Sequence, residues 1–109
     1  MATKKKQKKA AEKRYVIVRC TQAGVHAGYL ERNSGGKVVL SGARRIWYWN
    51  GAASLSEIAV YGLNPAKAAQ SKIAAKVPEI ELRGSDVCEI LLCCEAGKAS
   101  LLGAPEWRA

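Results

Sequence analysis

The chain reads as a small α+β domain: a strongly curved antiparallel sheet or open barrel of about six strands with two short helices. Three observations predict this class. Short β-branched or alternating runs recur from Tyr15 to Cys94, joined by tight turn signals instead of long crossovers. Only two stretches carry clear helix start and stop chemistry, at residues 54–62 and 95–102. A length of 109 residues suits one domain with one modest core.

Residues 15–20, Tyr-Val-Ile-Val-Arg-Cys, form a strand bounded by polar residues, and residues 21–24 turn the chain. Residues 25–31 read as a second strand, in which Gly28 permits a bulge or a close backbone approach. Asn33-Ser34-Gly35-Gly36 is a hairpin signal, because the glycines accept positive φ. Residues 37–40 return, Ser41-Gly42 interrupts, and extended structure resumes through Trp49. Ser54-x-x-Glu57 has the spacing of a capping box, and Gly62 is placed as the stop of a two-turn helix that must pack on the sheet. Asn64-Pro65 opens an Ala/Lys-rich segment that is a short helix or loop to about Ser71 and extended beyond it. Pro78 places this extended stretch at an edge or bulge. Residues 79–82 are extended and residues 83–86 turn. Residues 87–94 are apolar on both faces apart from Glu89, which predicts a central strand. The terminal helix, residues 95–102, ends at Gly103, and Trp107 is expected to fold back over the core. No strand, Gly-rich loop and helix occur in sequence, which excludes Rossmann and P-loop architectures.

The net charge of +9 is uneven. Residues 1–14 carry seven Lys/Arg and one Glu, a net +6, while the rest of the chain carries only +3. The division is therefore a basic flexible tail, residues 1–14, and one α+β domain, residues 15–109. Lys4, Lys5, Lys6, Lys8, Lys9, Lys13 and Arg14 form a cationic run attracted to nucleic acid or an anionic surface. The alternative is a solubilising extension. No apolar run is long enough to cross a bilayer, and the basic start leads into no secretory h-region, so no membrane partner is expected.

Four cysteines offer neither a disulfide framework nor a zinc site. Cys93 and Cys94 are adjacent, no Cys-x-x-Cys occurs, and His26 is the sole histidine. Cys88, Cys93 and Cys94 are expected as small buried hydrophobes in reduced form. No metal or cofactor is expected. The carboxylates are scattered without the pairing that acid–base work uses, and Glu89 is expected to pair with Arg19 or Arg45. His26 with Cys20 would make a nucleophilic pair only if a catalytic constellation supported it, and none is visible, so no catalytic residue is assigned.

The best ligand candidates lie in Ala43-Arg44-Arg45-Ile46-Trp47-Tyr48-Trp49. Three of the chain's seven aromatics and two adjacent arginines fall within six residues. In an extended chain Arg45, Trp47 and Trp49 share one face, while Arg44, Ile46 and Tyr48 share the other. Guanidinium and indole groups can stack on flat rings and pair with an anion. The same residues can instead close the core of a domain that has no Phe. Arg44, Arg45, Trp47, Trp49 and His26 are the candidate binding set, with a nucleotide or single-stranded nucleic acid as ligand.

Tyr15-Val16-Ile17-Val18-Arg19, Ala23-Gly24-Val25-His26-Ala27-Gly28, and the block from Ala43 through Trp49 to Gly51-Ala52-Ala53-Ser54-Leu55-Ser56 resemble a family of small proteins of tailed bacteriophages and prophages. Val77-Pro78-Glu79-Ile80 and residues 87–93 are similar to its closing strands, so the resemblance spans roughly residues 15–102. The arginine–tryptophan block is its most specific part. The lysine-rich start and the segment after Pro65 depart from it. The resemblance implies phage origin, expression in a bacterial host and an accessory or structural role, and it brings no catalytic residues. The resulting expectation is a non-enzymatic accessory protein of the host cytoplasm that binds nucleic acid, a host nucleotide or a host factor. The alternative is a virion component (capsid, decoration or tail accessory) whose N-terminal arm contacts phage protein neighbours. A homo-oligomer fits either, since so small a domain often leaves an apolar patch to bury.

Overall fold

Tight turns and antiparallel pairing build the sheet. A computed structural model describes residues 13–109. Its elements are β1 (Tyr15–Cys20), β2 (Val25–Ser34), β3 (Lys37–Tyr48), α1 (Leu55–Tyr61), α2 (Pro65–Ala68), β4 (Lys72–Ile73), β5 (Val77–Arg83), β6 (Val87–Leu92) and α3 (Glu95–Gly103). The strand order is β4-β3-β2-β1-β6, and β5 pairs with the other half of the β3 edge that β4 occupies. All pairings are antiparallel and the sheet stays open, so this is the α+β fold that the turn spacing predicts. No helix among the described residues is long and apolar enough to cross a membrane.

Local signals hold where the chemistry is local. Gly35 and Gly36 have φ of 60° and 74°, the two positive angles that a tight hairpin between β2 and β3 requires. The Ser54 hydroxyl accepts from Glu57 N at 3.2 Å, and Gly62 ends α1 at φ 79°. The Glu57 carboxylate reaches back to Ala53 N. Asn64 Oδ1 accepts from Ala66 N at 2.9 Å, so the ambiguous segment begins as the short helix α2 with Pro65 at its first position. Pro78 lies in β5, an edge strand paired only with β3.

The sheet buries both faces. One face carries Tyr15, Ile17, Ala27 and Ile46 under α1 and α3, whose Ile58 and Leu101 are fully buried. The other face curls inward, so that Val16 and Val18 of β1 meet Leu40 and Ala43 of β3 and Leu82 of β5. Residues Tyr15, Val16, Ile17 and Val18 are no more than 2 % exposed. Strand β1 is thus apolar on both sides because it lies between two cores.

Three expectations are corrected. Strand β6 is not central: it pairs only with β1, and Leu92 is 57 % exposed. Its apolar run reflects contact with both cores, Leu91 on the helix side and Val87 and Ile90 on the inner side. In consequence Cys88 and Cys94 are exposed and Cys93 is only half-buried, whereas Cys20 is the buried thiol. Finally, Ser41-Gly42 does not interrupt the strand. Strand β3 runs unbroken for 12 residues and absorbs one extra residue opposite Gly28. Gly42 supplies the positive φ, 55°, that such a bulge needs. Gly28 supplies the close approach, since a Cβ there would lie 2.9 Å from Ser41 O.

Candidate functional site

The bulge decides what each arginine does. Before Gly42 the even residues Val38 and Leu40 face the inner core, and after it the odd residue Ala43 does. The shift turns Arg44 toward the helices and sends Arg45 and Trp47 the opposite way.

Arg44 is 2 % exposed. Its Nε donates to Ala74 O at 2.8 Å, Nη1 to Leu101 O at 2.7 Å and to Ala104 O at 2.9 Å, and Nη2 to Ile73 O at 3.3 Å. Leu101 lies in the last turn of α3, whose carbonyls have no helical partner and carry partial negative charge. That turn holds no basic residue of its own. Arg44 supplies its cap from across the sheet and ties β3 to β4 and α3. Burial lowers its pKa, but guanidinium titrates so high that the charge persists. Arg44 is therefore a structural residue and leaves the candidate binding set.

His26 also leaves the surface. It is 2 % exposed, and its ring Nε2 lies 2.8 Å from Ala23 O, so the neutral tautomer donates from Nε2. Burial lowers its pKa, and the nearby Arg45 charge acts in the same direction. The unfolded chain, with an ordinary histidine near 6.5, then binds more protons than the native state just below that pH. Stability is complete above this value and declines as pH falls through the window down to the lowered native pKa. The thermal midpoint should fall between pH 7.5 and pH 5.5, and His26→Gln, which keeps a donor for Ala23 O, should flatten that fall. An unchanged slope in the variant would locate the titration elsewhere. The Cys20 thiol is buried and its pKa is raised, first by burial and then by Asp86 and Cys88, so it is not primed as a nucleophile.

What remains exposed is Arg45 and Trp47. Trp47 is 60 % exposed, and the Arg45 guanidinium lies 5.3 Å from its ring centroid. Trp49 is half-buried and packs against the helix-side core, so it does not share the face of Arg45 and Trp47 as strict alternation predicts, because the register shifts between Ile46 and Tyr48. Its indole donates to Ala52 O at 3.2 Å. These three side chains and the turn at residues 22–25 enclose a cleft of about 400 Å³. The turn is clamped from a distance. The Asp86 carboxylate accepts from Gln22 N at 2.8 Å and Ala23 N at 2.9 Å, and the Asp86 carbonyl accepts from Thr21 N at 2.8 Å. Sequence reading assigns Asp86 no such role, because the contact spans more than sixty residues.

Among the other described cations, Lys13, Arg19, Lys37 and Arg108 sit in ion pairs. Lys13 pairs with Glu31 at 3.0 Å, and the Arg14 carbonyl accepts from Leu30 N, so these two members of the predicted tail are tied to β2. Lys4, Lys5, Lys6, Lys8 and Lys9 lie outside the described residues. Arg19 takes Glu89 at 2.8 Å, which decides that pairing between the two arginines considered. Both partners are well exposed, so the pair contributes little. Among the described residues no three His, Cys, Asp or Glu side chains are grouped to hold a metal ion. A further cleft of about 470 Å³ lies between the helices and has no charged lining.

Comparison with curated proteins finds no match. Residues 13–101 match a family described as a domain of unknown function, DUF6948. That match takes in all six strands, the Asp86 clamp and both halves of the Arg45–Trp47 cleft, and so the chain belongs to the DUF6948 domain family.

Proposed function

We propose that this chain is a non-enzymatic phage accessory protein that holds an anionic, ring-bearing ligand, a nucleotide or nucleic acid, in the host cytoplasm. The observation that carries this reading is the exposed Trp47 ring with the Arg45 guanidinium 5.3 Å from its centroid, at the mouth of a cleft whose wall is held rigid by Asp86. An exposed indole is costly to leave in water, and one beside a guanidinium matches a flat ring that carries phosphate. The net +6 of residues 1–14 adds an electrostatic component that salt should screen.

The test is binding of the full-length protein to oligonucleotides and nucleoside phosphates, followed by fluorescence anisotropy across salt concentrations. Trp47→Ala should weaken binding by roughly 5- to 150-fold, the equivalent of about 1–3 kcal/mol for one stacked base. Arg45→Ala should weaken it and reduce the salt slope. Neither change touches the core, so both variants should melt with the parent. Absence of salt-sensitive binding to every nucleic acid and nucleotide would end this reading.

A second reading, a virion subunit, is favoured by exposed Leu92 on the free edge of β6 and by the apolar groove between the helices. Mass spectrometry of purified particles separates the two, since only a structural subunit recurs there at many copies.

A further inference from the structure

We infer that the ligand is single-stranded nucleic acid rather than a free nucleotide, because Trp47 is the shared wall of two ring-sized clefts, each with its own cation. The first is the Arg45 cleft already described. The second, about 320 Å³, is formed by Trp47, Tyr48, Lys72 and Trp107. Lys72 Nζ lies 5.3 Å from the Trp107 ring centroid, which repeats the Arg45–Trp47 arrangement at the same distance. This step rests on the binding reading above and goes beyond it by specifying a ligand with more than one base.

The second cleft is assembled from distant parts of the chain. Tyr48 ends β3 and pairs with Lys72 of β4. Trp107 is brought alongside by its backbone N–H, which donates to Ile73 O at 2.8 Å. The C-terminal segment is thus hydrogen-bonded to β4 next to the lysine that its indole meets. Tyr48 is 49 % exposed, and neither Lys72 nor Arg45 has a carboxylate partner among the ion pairs of the described residues.

The repeat matches the chemistry of a strand. Each nucleotide of a single strand presents one flat base and one phosphate charge, and stacking platforms alternating with cations are what such a strand binds. A mononucleotide has one ring and fills one cleft. Duplex keeps its bases stacked on each other and offers neither cleft a ring.

Full-length protein would be titrated with thymidine monophosphate, a short oligothymidylate and a duplex of the same length, read by tryptophan fluorescence and anisotropy. The oligonucleotide should bind at least tenfold more tightly than the monophosphate, and the duplex more weakly than the single strand at equal salt. Lys72→Ala and Trp107→Leu should each weaken oligonucleotide binding by a larger factor than monophosphate binding, because a monophosphate retains the Arg45 cleft while a strand loses one of its two footholds. Lys72 is exposed, so its variant reports on binding even if Trp107→Leu loosens the C-terminal segment. Equal affinity for monophosphate and oligonucleotide, or Lys72→Ala leaving the oligonucleotide unaffected, would overturn the second cleft while the Arg45–Trp47 site stands. Loss of all binding in Trp47→Ala, without any effect at Lys72, would overturn it in the same way. No binding by any of the three ligands would remove both.

Discussion

Arg44→Met is expected to be among the most damaging single changes in this domain, with a loss of about 3–5 kcal/mol. The side chain is buried, so methionine replaces much of its volume. What it cannot replace are the donors to four carbonyls, those of Ile73, Ala74, Leu101 and Ala104. Ile73 O keeps the Trp107 N–H, but each of the other three acceptors left buried without a partner costs about 1–3 kcal/mol, and part of that sum is recovered as water enters. For a domain of this size 1 kcal/mol corresponds to roughly 4–8 °C in the midpoint, so the variant should melt tens of degrees lower or fail to fold at 37 °C. Arg44→Lys should fall between the two, because an ammonium donates from one point and cannot span a planar fork of acceptors. Arg45→Met, on the adjacent residue, should melt within a few degrees of the parent. Thermal denaturation of the three variants checks the ordering. A parent-like midpoint for Arg44→Met would mean that the carbonyl network contributes little.

That contrast shows where the sequence is informative. Alternation along Ala43–Trp49 separates Arg44 from Arg45 correctly, yet the pattern is symmetric and does not tell which of the two faces water. The decision lies in one extra residue at Gly42, and a bulge is a statement about pairing with β2, which no local window contains. Capping at Ser54, the Gly35-Gly36 hairpin and the edge position that Pro78 marks were legible because each is settled within about four residues. Strand β6 misled for a physical reason. A doubly apolar run signals burial on both faces, but a curled sheet lets an edge strand touch both cores while its residues stay only partly covered. Asp86 reads as an ordinary turn residue until the fold sets it under the amides of Gln22 and Ala23. Lys72 and Trp107 are separated in sequence, and only the hydrogen bond from Trp107 to Ile73 places them in one cleft.

Gly97→Ala should also destabilise the fold, by about 1–3 kcal/mol, although alanine is the better helix former. Helix propensity alone would favour the change by about 1 kcal/mol. Packing reverses the sign. Helix α3 crosses α1 at this glycine so closely that a Cβ would stand 2.1 Å from Ala59 O and 2.5 Å from Ile58 O. Both are backbone atoms, so no rotamer change relieves the overlap and α3 must move off α1. The movement strains the Cys94 N–H bond to Ala59 O and the Leu63 N–H bond to the Ser100 hydroxyl, which stitch the two helices together. Gly103→Ala is the control, since nothing lies within 4 Å of the position its Cβ would take. Urea midpoints should fall for Gly97→Ala and hold for Gly103→Ala. Equal behaviour of the two would mean that the crossing is looser than the backbone separation implies. Because α3 and the Ala104 cap that follows it carry two of the carbonyls that Arg44 holds, displacing the helix removes part of what Arg44 contributes. The double variant Gly97→Ala/Arg44→Lys should therefore lose less stability than the sum of its parts, the coupling expected of residues that act on one shared element. Strict additivity would separate the helix crossing from the arginine cap and leave Arg44 to act through β4 alone.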